Sequence, residues 1–489
     1  MFPHESPHKP HSKGALAMFG EALTGSSRDL TTEPLGSALF LLAVPMILEL
    51  LMESIFSVVD IFFVAKLGAD AVAVVGLTES LLSIVFALAI GLSVGATAIV
   101  SRRIGAGDRE GAVKGAVHTL YLGVAVSVFL SVIGIAFAPQ LLHALGAQPQ
   151  VVALGTPFAR IMLGSNAAIL FLFLLSAIFR GAGDSSVAMH VLFWANLLNI
   201  VLAPCFIYGA DVFSTLGFHP PSWLLQAWPI PKLGVTGAAV GTTIGRGVGV
   251  LLAASYLMRP GGRITIRREH WKLDALMAKS LIAIAVPAIL QFTISTLSWS
   301  ALVRVVADFG SEAIAGYVIG QRLIVFMLLP ALGLSNAAAT LVGQNLGADQ
   351  PGRAEAAVWR TSLINALILG VIGGLLLCFS RPLVGCFTVD PTVLSYGASA
   401  LHIASFGFVF YGFGTVMEAA FNGAGDTWTP TYLNFLVFWV LEIPLAYLLA
   451  YRFELGPNGV FWAIMVAFSM MALCSTAVFK RGKWKQKAL

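Results

Sequence analysis

Apolar residues run through this chain in long blocks separated by short polar stretches, and the blocks set its organisation. Twelve of them approach or exceed the ~20 residues that an α-helix needs to cross a hydrocarbon core. They predict spanning helices over 36–66, 71–99, 115–138, 151–179, 187–209, 234–258, 275–307, 313–342, 358–379, 393–421, 430–450 and 457–479. The first block is interrupted in an ordered way. ELLMESIFSVVD at 49–60 carries Glu49, Glu53 and Asp60, which fall at about 0°, 40° and 20° around a helix and so share one narrow stripe. A charge at the bilayer centre costs about 2.5–3.5 kcal/mol even on the lenient insertion scale. The stripe is therefore expected to face a wet cavity or a partner, not lipid.

The pattern also repeats. AVPMIL at 43–48 returns as AVPAIL at 285–290, and KLGADAVA at 66–73 aligns with DFGSEAIA at 308–315. GLSVGATAIVSRRIGAGD at 91–108 pairs with GLSNAAATLVGQNLGADQ at 333–350, and FRGAGDSS at 179–186 with FNGAGDTW at 421–428. Positions 45 and 287, 68 and 310, 91 and 333, and 179 and 421 keep a constant offset of 242. The offset falls to 222 where LGVTGAAV at 233–240 meets LGPNGVFW at 455–462, so the first half carries an insertion of twenty residues within 209–232. Its Trp223, Trp228 and paired prolines suit a membrane interface, as a cap over the outer mouth or as a substrate gate.

Six spans per repeat is an even number, so both copies insert in the same sense. The expected fold is an all-α integral membrane protein, with twelve transmembrane helices in two six-helix bundles related by a pseudo-two-fold axis along the membrane normal. The divisions fall at 1–34 (cytoplasmic tail), 35–258 (first lobe), 259–274 (cytoplasmic linker), 275–480 (second lobe) and 481–489 (basic cytoplasmic tail). The segment RPGGRITIRREHWKLDALMAK at 259–279 is basic and amphipathic, suited to the surface of the leaflet.

Composition agrees with this class: 58% of the 489 residues are hydrophobic, 11% are charged, and mean hydropathy is +0.87. Charge orients the chain. One set of flanks, Arg102, Arg103, Arg109, Arg180 and the KRGKWKQK run among them, holds twenty Lys and Arg; the other holds Lys66, Lys232, Arg381 and Arg452. Both termini are thereby expected on the cytoplasmic side of the cell's inner membrane. The net +5 charge follows from this bias and from anionic headgroups, without nucleic acid. Four cysteines without C-x-x-C spacing give no disulfide framework or zinc site. His4, His8 and His11 belong to a polar leading segment that reads as a solvated tail, not a signal peptide or a metal site.

By distance from the predicted helix ends, Asp60, Glu79, Arg160, Asn199 and Thr242 fall in one layer of the outer half of the first bundle. In the second half Asp60, Glu53 and Glu49 are replaced by Leu302, Ser295 and Gln291. A scaffold requirement would leave like residues in both copies, so the asymmetry points to an ion-coupling site built on the carboxylates Asp60, Glu53 and Glu79, with Asn199 and Thr242 in the same polar layer. Glu49, Phe56, Met162, Arg160 and Glu418 are candidates for a substrate cavity, with Phe63, Phe173 and Trp194 as further lining candidates, although most such aromatic and Met side chains are expected to face lipid or to serve packing. Glu442 is a further second-bundle carboxylate. Arg304 and Arg322 are expected to pair structurally, and Arg246 to pair or snorkel.

VDIFFVAKLG at 59–68, LVGQNLGA at 341–348, the twin RGAGDS and NGAGDT motifs and EIPLAY at 442–447 together resemble the multidrug and toxic compound extrusion (MATE) family, and its prokaryotic DNA-damage-inducible-type branch in particular. The resemblance runs from Pro34 to about Lys480. It implies a two-lobed antiporter, without cofactor or resident metal and expected to be a monomer, that expels cationic or amphipathic organic compounds in exchange for H⁺ or Na⁺. The family's acidic residue late in helix 1 matches Asp60, the Asn of its helix 5 N-x-x-N pattern matches Asn199, and its helix 6 hydroxyl matches Thr242. Many relatives place an acid just before the helix 5 proline, whereas Ala203 precedes Pro204 here. One carboxylate suffices for a proton while Na⁺ needs several oxygens, so H⁺ is expected, with Na⁺ the alternative. A flippase for lipid-linked sugars is the rival transport reading and would favour more basic residues in the cavity. A channel would need rings of repeated groups; HESPH at 4–8 and GLSVG at 91–95 match H-E-x-x-H and G-x-S-x-G, but the first lies in the polar leading segment and the second inside an apolar block, not on the zinc-binding helix or strand-to-helix turn those motifs need, so an enzyme is not expected.

Overall fold

The computed structural model describes residues 15–487 apart from 216, 218–220 and 222–228, so Trp223, Trp228 and the N-terminal histidines lie outside the described residues. Among the described residues, twelve helices are long and apolar enough to cross a membrane. Six form the first lobe: span 1 (Leu35–Ala65), span 2 (Ala69–Gly105), span 3 (Arg109–Ala144), span 4 (Pro149–Ala182), span 5 (Ser185–Thr215) and span 6 (Val235–Met258). Six form the second: span 7 (Ala275–Ala307), span 8 (Ser311–Gly347), span 9 (Pro351–Gly385), span 10 (Pro391–Gly423), span 11 (Trp428–Arg452) and span 12 (Pro457–Lys480). Most overrun their apolar blocks because polar residues finish them. The Asp108, Asp274 and Asp390 carboxylates accept first-turn N–H groups of spans 3, 7 and 10, and Arg102 and Arg103 sit in the last turn of span 2.

Two helices depart from regularity. Span 4 breaks at Ser165, where the Asn166 amide donates to the carbonyls of Ser127 and Leu163 and to the Ser131 hydroxyl. Span 11 widens into π-helix over Phe435–Glu442 and Leu448–Arg452. Hydrophobic periodicity signals neither.

Glycine decides how closely spans 5 and 6 approach. Gly237, Gly241, Gly245 and Gly249 recur every fourth residue, and a Cβ on any of them would come within 3 Å of span 5, on Phe206, Ala203 or Ala195. Gly245→Val is expected to destabilise the protein by about 1–3 kcal/mol, while Gly247→Val, with open space beside it, is expected to be silent. Thermal unfolding of both in one detergent checks this, and an equal effect would remove the close-packing explanation.

The lobes meet in the half of the molecule that carries the termini, and they meet symmetrically. A Cβ on Gly105 would strike the Gln344 carbonyl, and one on Gly347 the Arg102 carbonyl; Gly91 abuts Ile289 as Gly333 abuts Ile47. Each of these residues has its counterpart 242 positions away. The kinks obey the same register. Ser185 donates to the Leu42 carbonyl beside Pro45, and Thr427 to the Ile284 carbonyl beside Pro287. In both RGAGDS and NGAGDT a left-handed glycine, Gly183 or Gly425, makes the turn that delivers this hydroxyl.

The predicted tails and linker are more ordered than their composition suggests. Ala15–Thr24 is helical, Leu30 is buried between spans 1 and 8, and the stretch of chain around it is clamped from both lobes. Arg263 donates to the carbonyls of Ser26 and Arg28, and Arg353 to those of Leu30 and Glu33. In the basic C-terminal segment Trp484 is buried against Phe479, and the Lys487 carbonyl accepts from Arg102. The linker is no surface helix: Ile264 and Ile266 pack into the first lobe, leaving a single 3-10 turn at Arg268–His270.

Candidate functional site

The carboxylate stripe of span 1 does not behave as one unit, because each acid meets a different neighbour. Glu49 is 5% exposed and ion-paired to Arg180 at 2.8 Å. Arg180, counted above among the flanking cations, is thus a partner inside the lobe, and Glu49 sits in a dry pair instead of a cavity. One further turn along, Glu53 accepts from Arg246 at 2.9 Å and from the Asn196 amide at 3.2 Å. Arg246 lies only 7% exposed, with its guanidinium over the Phe56 ring at 5.6 Å. Phe56 is consequently a buried platform for Arg246, not a lining residue open to substrate.

Asp60 differs from both in having no ion pair among the described residues. Its Oδ1 is buried with no hydrogen-bond partner among them, as is the second carboxylate oxygen of Glu49. The charges that reach it are Arg246 and Glu79. Because Glu53 contacts Asn196 and spans 1 and 5 run in the same direction, seven residues further along place Asp60 level with Ala203. That is the position before Pro204 where an acid was missing from the sequence, so Asp60 faces no second carboxylate from span 5. Asn199, on the adjoining turn, is also buried, and its Nδ2 has no partner. Thr242 is buried one turn of span 6 from Arg246. A hydrogen bond from Tyr208 to the Phe63 carbonyl at 2.6 Å holds the end of span 1 against span 5.

Glu79 is exposed, and the charge acting on it is Arg322 of span 8. The two belong to different lobes. Arg322 has no structural ion pair among the described residues, whereas Arg304 pairs with Asp308 at 2.8 Å as expected. Two other assignments do not join the site. Arg160 is exposed, with no carboxylate at ion-pair distance among the described residues. Met162 packs against two clusters within the first lobe, so its flexible side chain fills the core.

The second lobe holds its acids with neutral partners. Glu418 accepts from the amides of Gln291 and, at 2.9 Å, Asn434. Glu442, 1% exposed in the π-helical stretch, accepts from Ser298 at 2.9 Å and leaves Oε1 unpartnered. In the repeat register Gln291 answers to Glu49, Glu418 to Ser176 and Asn422 to Arg180. The same junction thus carries its acid on span 1 in one lobe and on span 10 in the other. The 242-residue register holds this exchange at positions 176 and 180, where the sequence alone could have shown it. Among the described residues no three His, Cys, Asp or Glu side chains gather as a metal-binding group.

The comparisons with known proteins agree with this architecture. The chain is 26% identical over 454 residues to the probable multidrug resistance protein YoeA of Bacillus subtilis, covering 92% of this chain and 94% of the relative. It is 24% identical over 446 residues to the multidrug export protein MepA of Staphylococcus aureus, covering 91% and 93%. Among solved structures it is similar to an outward-facing conformation of a multidrug resistance MATE family transporter of the MOP superfamily, with a TM-score of 0.84 at 25% identity over 94% of this chain and 98% of that one. A MATE protein in the straight conformation superposes with the same TM-score of 0.84, at 25% identity and the same coverage. The MatE family model matches twice, over residues 45–205 and 287–448, one copy in each lobe. With both repeats matched in register and the whole fold shared, this chain belongs to the MatE family of membrane transporters.

Proposed function

We propose that this multidrug efflux protein exports cationic or amphipathic organic compounds across the cytoplasmic membrane in exchange for H⁺, acting as a monomer with both termini inside the cell. The observation that carries the choice of ion is the contrast along span 1: Glu49 and Glu53 are paired with Arg180 and Arg246, while Asp60, with one oxygen buried, has no ion-pair partner among the described residues. A proton needs one such oxygen. Sodium would need several, and the nearest carboxylate along the stripe is held by an arginine.

With the lobes in contact on the side of the termini, the far side is the open one, and Asp60 lies toward it. Protonation there removes the negative charge facing Arg246 and Glu79 and releases a bound organic cation. The lobes then rock, and deprotonation on the other side resets the site. Asn199 and Thr242 supply the polar surroundings within a turn or so of Asp60.

Proteoliposomes loaded with a fluorescent organic cation test the reading, with a proton gradient or a sodium gradient imposed alone. Transport driven by the proton gradient and indifferent to sodium is expected. Transport that follows sodium only would overturn the assignment of the ion while leaving efflux intact.

A further inference from the structure

A cavity of about 1030 Å³ opens on the side of the termini, between the first turns of span 3 and the stretch that leads into span 7. Its cationic wall is Arg109, Lys114, Arg263, Arg267 and Lys272. Three acids share the lining, and each has other engagements. Glu110 pairs with Lys114 at 3.1 Å. Glu269 lies 3.7 Å from Arg267. Asp274 caps span 7 through the N–H groups of Met277 and Leu276, which hold its carboxyl below the usual range. Arg263 is committed to backbone carbonyls. Arg109 and Lys272, both exposed, have no carboxylate at ion-pair distance among the described residues, so the cavity keeps an uncompensated positive charge.

Exposed apolar residues flank this cavity, and Leu273 among them lines it. Leu273 is 80% exposed, Leu276 74% and Trp271 48%. The Trp271 ring meets Tyr121 edge-on at 5.5 Å, and the Tyr121 hydroxyl donates to the Trp271 carbonyl. A braced tryptophan beside exposed leucines and unpaired cations has the composition of the headgroup layer. Basic pockets at that depth take phosphate-bearing headgroups. We propose that this cavity binds the headgroup of an anionic phospholipid, with the phosphate against Arg109 and Lys272 and the acyl chains along Leu273 and Leu276. Because span 3 belongs to the first lobe and span 7 to the second, the lipid joins the lobes at their connecting segment.

The test uses the full chain with phosphatidylglycerol or phosphatidylcholine added in detergent, reading retained lipid by native mass spectrometry and unfolding temperature in parallel. The wild type is expected to retain phosphatidylglycerol preferentially and to unfold several degrees higher with it. Arg109→Gln combined with Lys272→Gln should reduce that retention about tenfold, and Arg304→Gln, on the far side, should leave it unchanged. Equal retention of both lipids by the wild type, or undiminished retention by the double variant, overturns the site. Equal protection by inorganic phosphate or glycerol 3-phosphate also overturns it, by assigning the cavity to a water-soluble anion.

Discussion

Replacing Asp60 with Asn is expected to reduce proton-driven efflux to the level of protein-free vesicles while leaving the protein folded. The substitution is nearly isosteric, and the buried oxygen of this carboxylate has no hydrogen-bond partner to lose, so nothing in the packing opposes it. Removing a charge that sits out of water is neutral or favourable for stability. What disappears is the one carboxylate of span 1 able to take up a proton without first breaking an ion pair. Efflux should be measured beside binding of the same fluorescent cation, since an Asn at 60 still offers a polar contact. Undiminished pumping by Asp60→Asn would remove this residue from coupling and shift the role to Glu79, whose charge partner belongs to the other lobe.

The largest effect on stability is expected from Arg180→Ala. Glu49 and Arg180 have side-chain exposures of only 6% and 14%, and stripping one partner from such a pair leaves an uncompensated charge that costs about 3–5 kcal/mol. The chain itself contains the remedy. At the equivalent junction of the second lobe, positions 291 and 422 are Gln and Asn. Glu49→Gln together with Arg180→Asn should therefore recover most of the loss, as read by thermal unfolding in detergent. If Arg180→Ala unfolds like the wild type, the pair is not what secures span 1 to span 4.

Much of this molecule was readable from one chain because a lipid solvent forces long apolar helices, and a duplicated gene prints its register twice. The constant offset pairs the positions whose contacts the structure then repeats, Gly91 with Gly333, Gly105 with Gly347 and Ser185 with Thr427, although it does not predict the contacts themselves. What escaped reading depends on partners far apart in sequence. The pattern around Glu49 is that of any buried acid until Arg180 is placed beside it, and Arg180 looks like an ordinary flanking cation until span 4 is docked. The break at Ser165 and the π-helical turns of span 11 arise from side chains on neighbouring helices, which leave periodicity unchanged. The order in the tails comes from arginines at 263 and 353, far away along the chain. The candidate site was therefore legible as a list of residues, and its division into paired and unpaired acids was not.

The glycine contacts between the halves have a mechanical outcome. Where Gly105 and Gly347 press on backbone oxygens, backbone meets backbone with no side chain between, so this patch of the seam behaves like two smooth plates, while leucines and isoleucines of spans 1, 2, 7 and 8 mesh beside it. Plates of this kind can part in one movement, because no rotamer has to unlatch before its neighbour. The meshed leucines and isoleucines around it have to slide apart at every stroke, whereas the glycine patch can open and reseal again and again along the same plane.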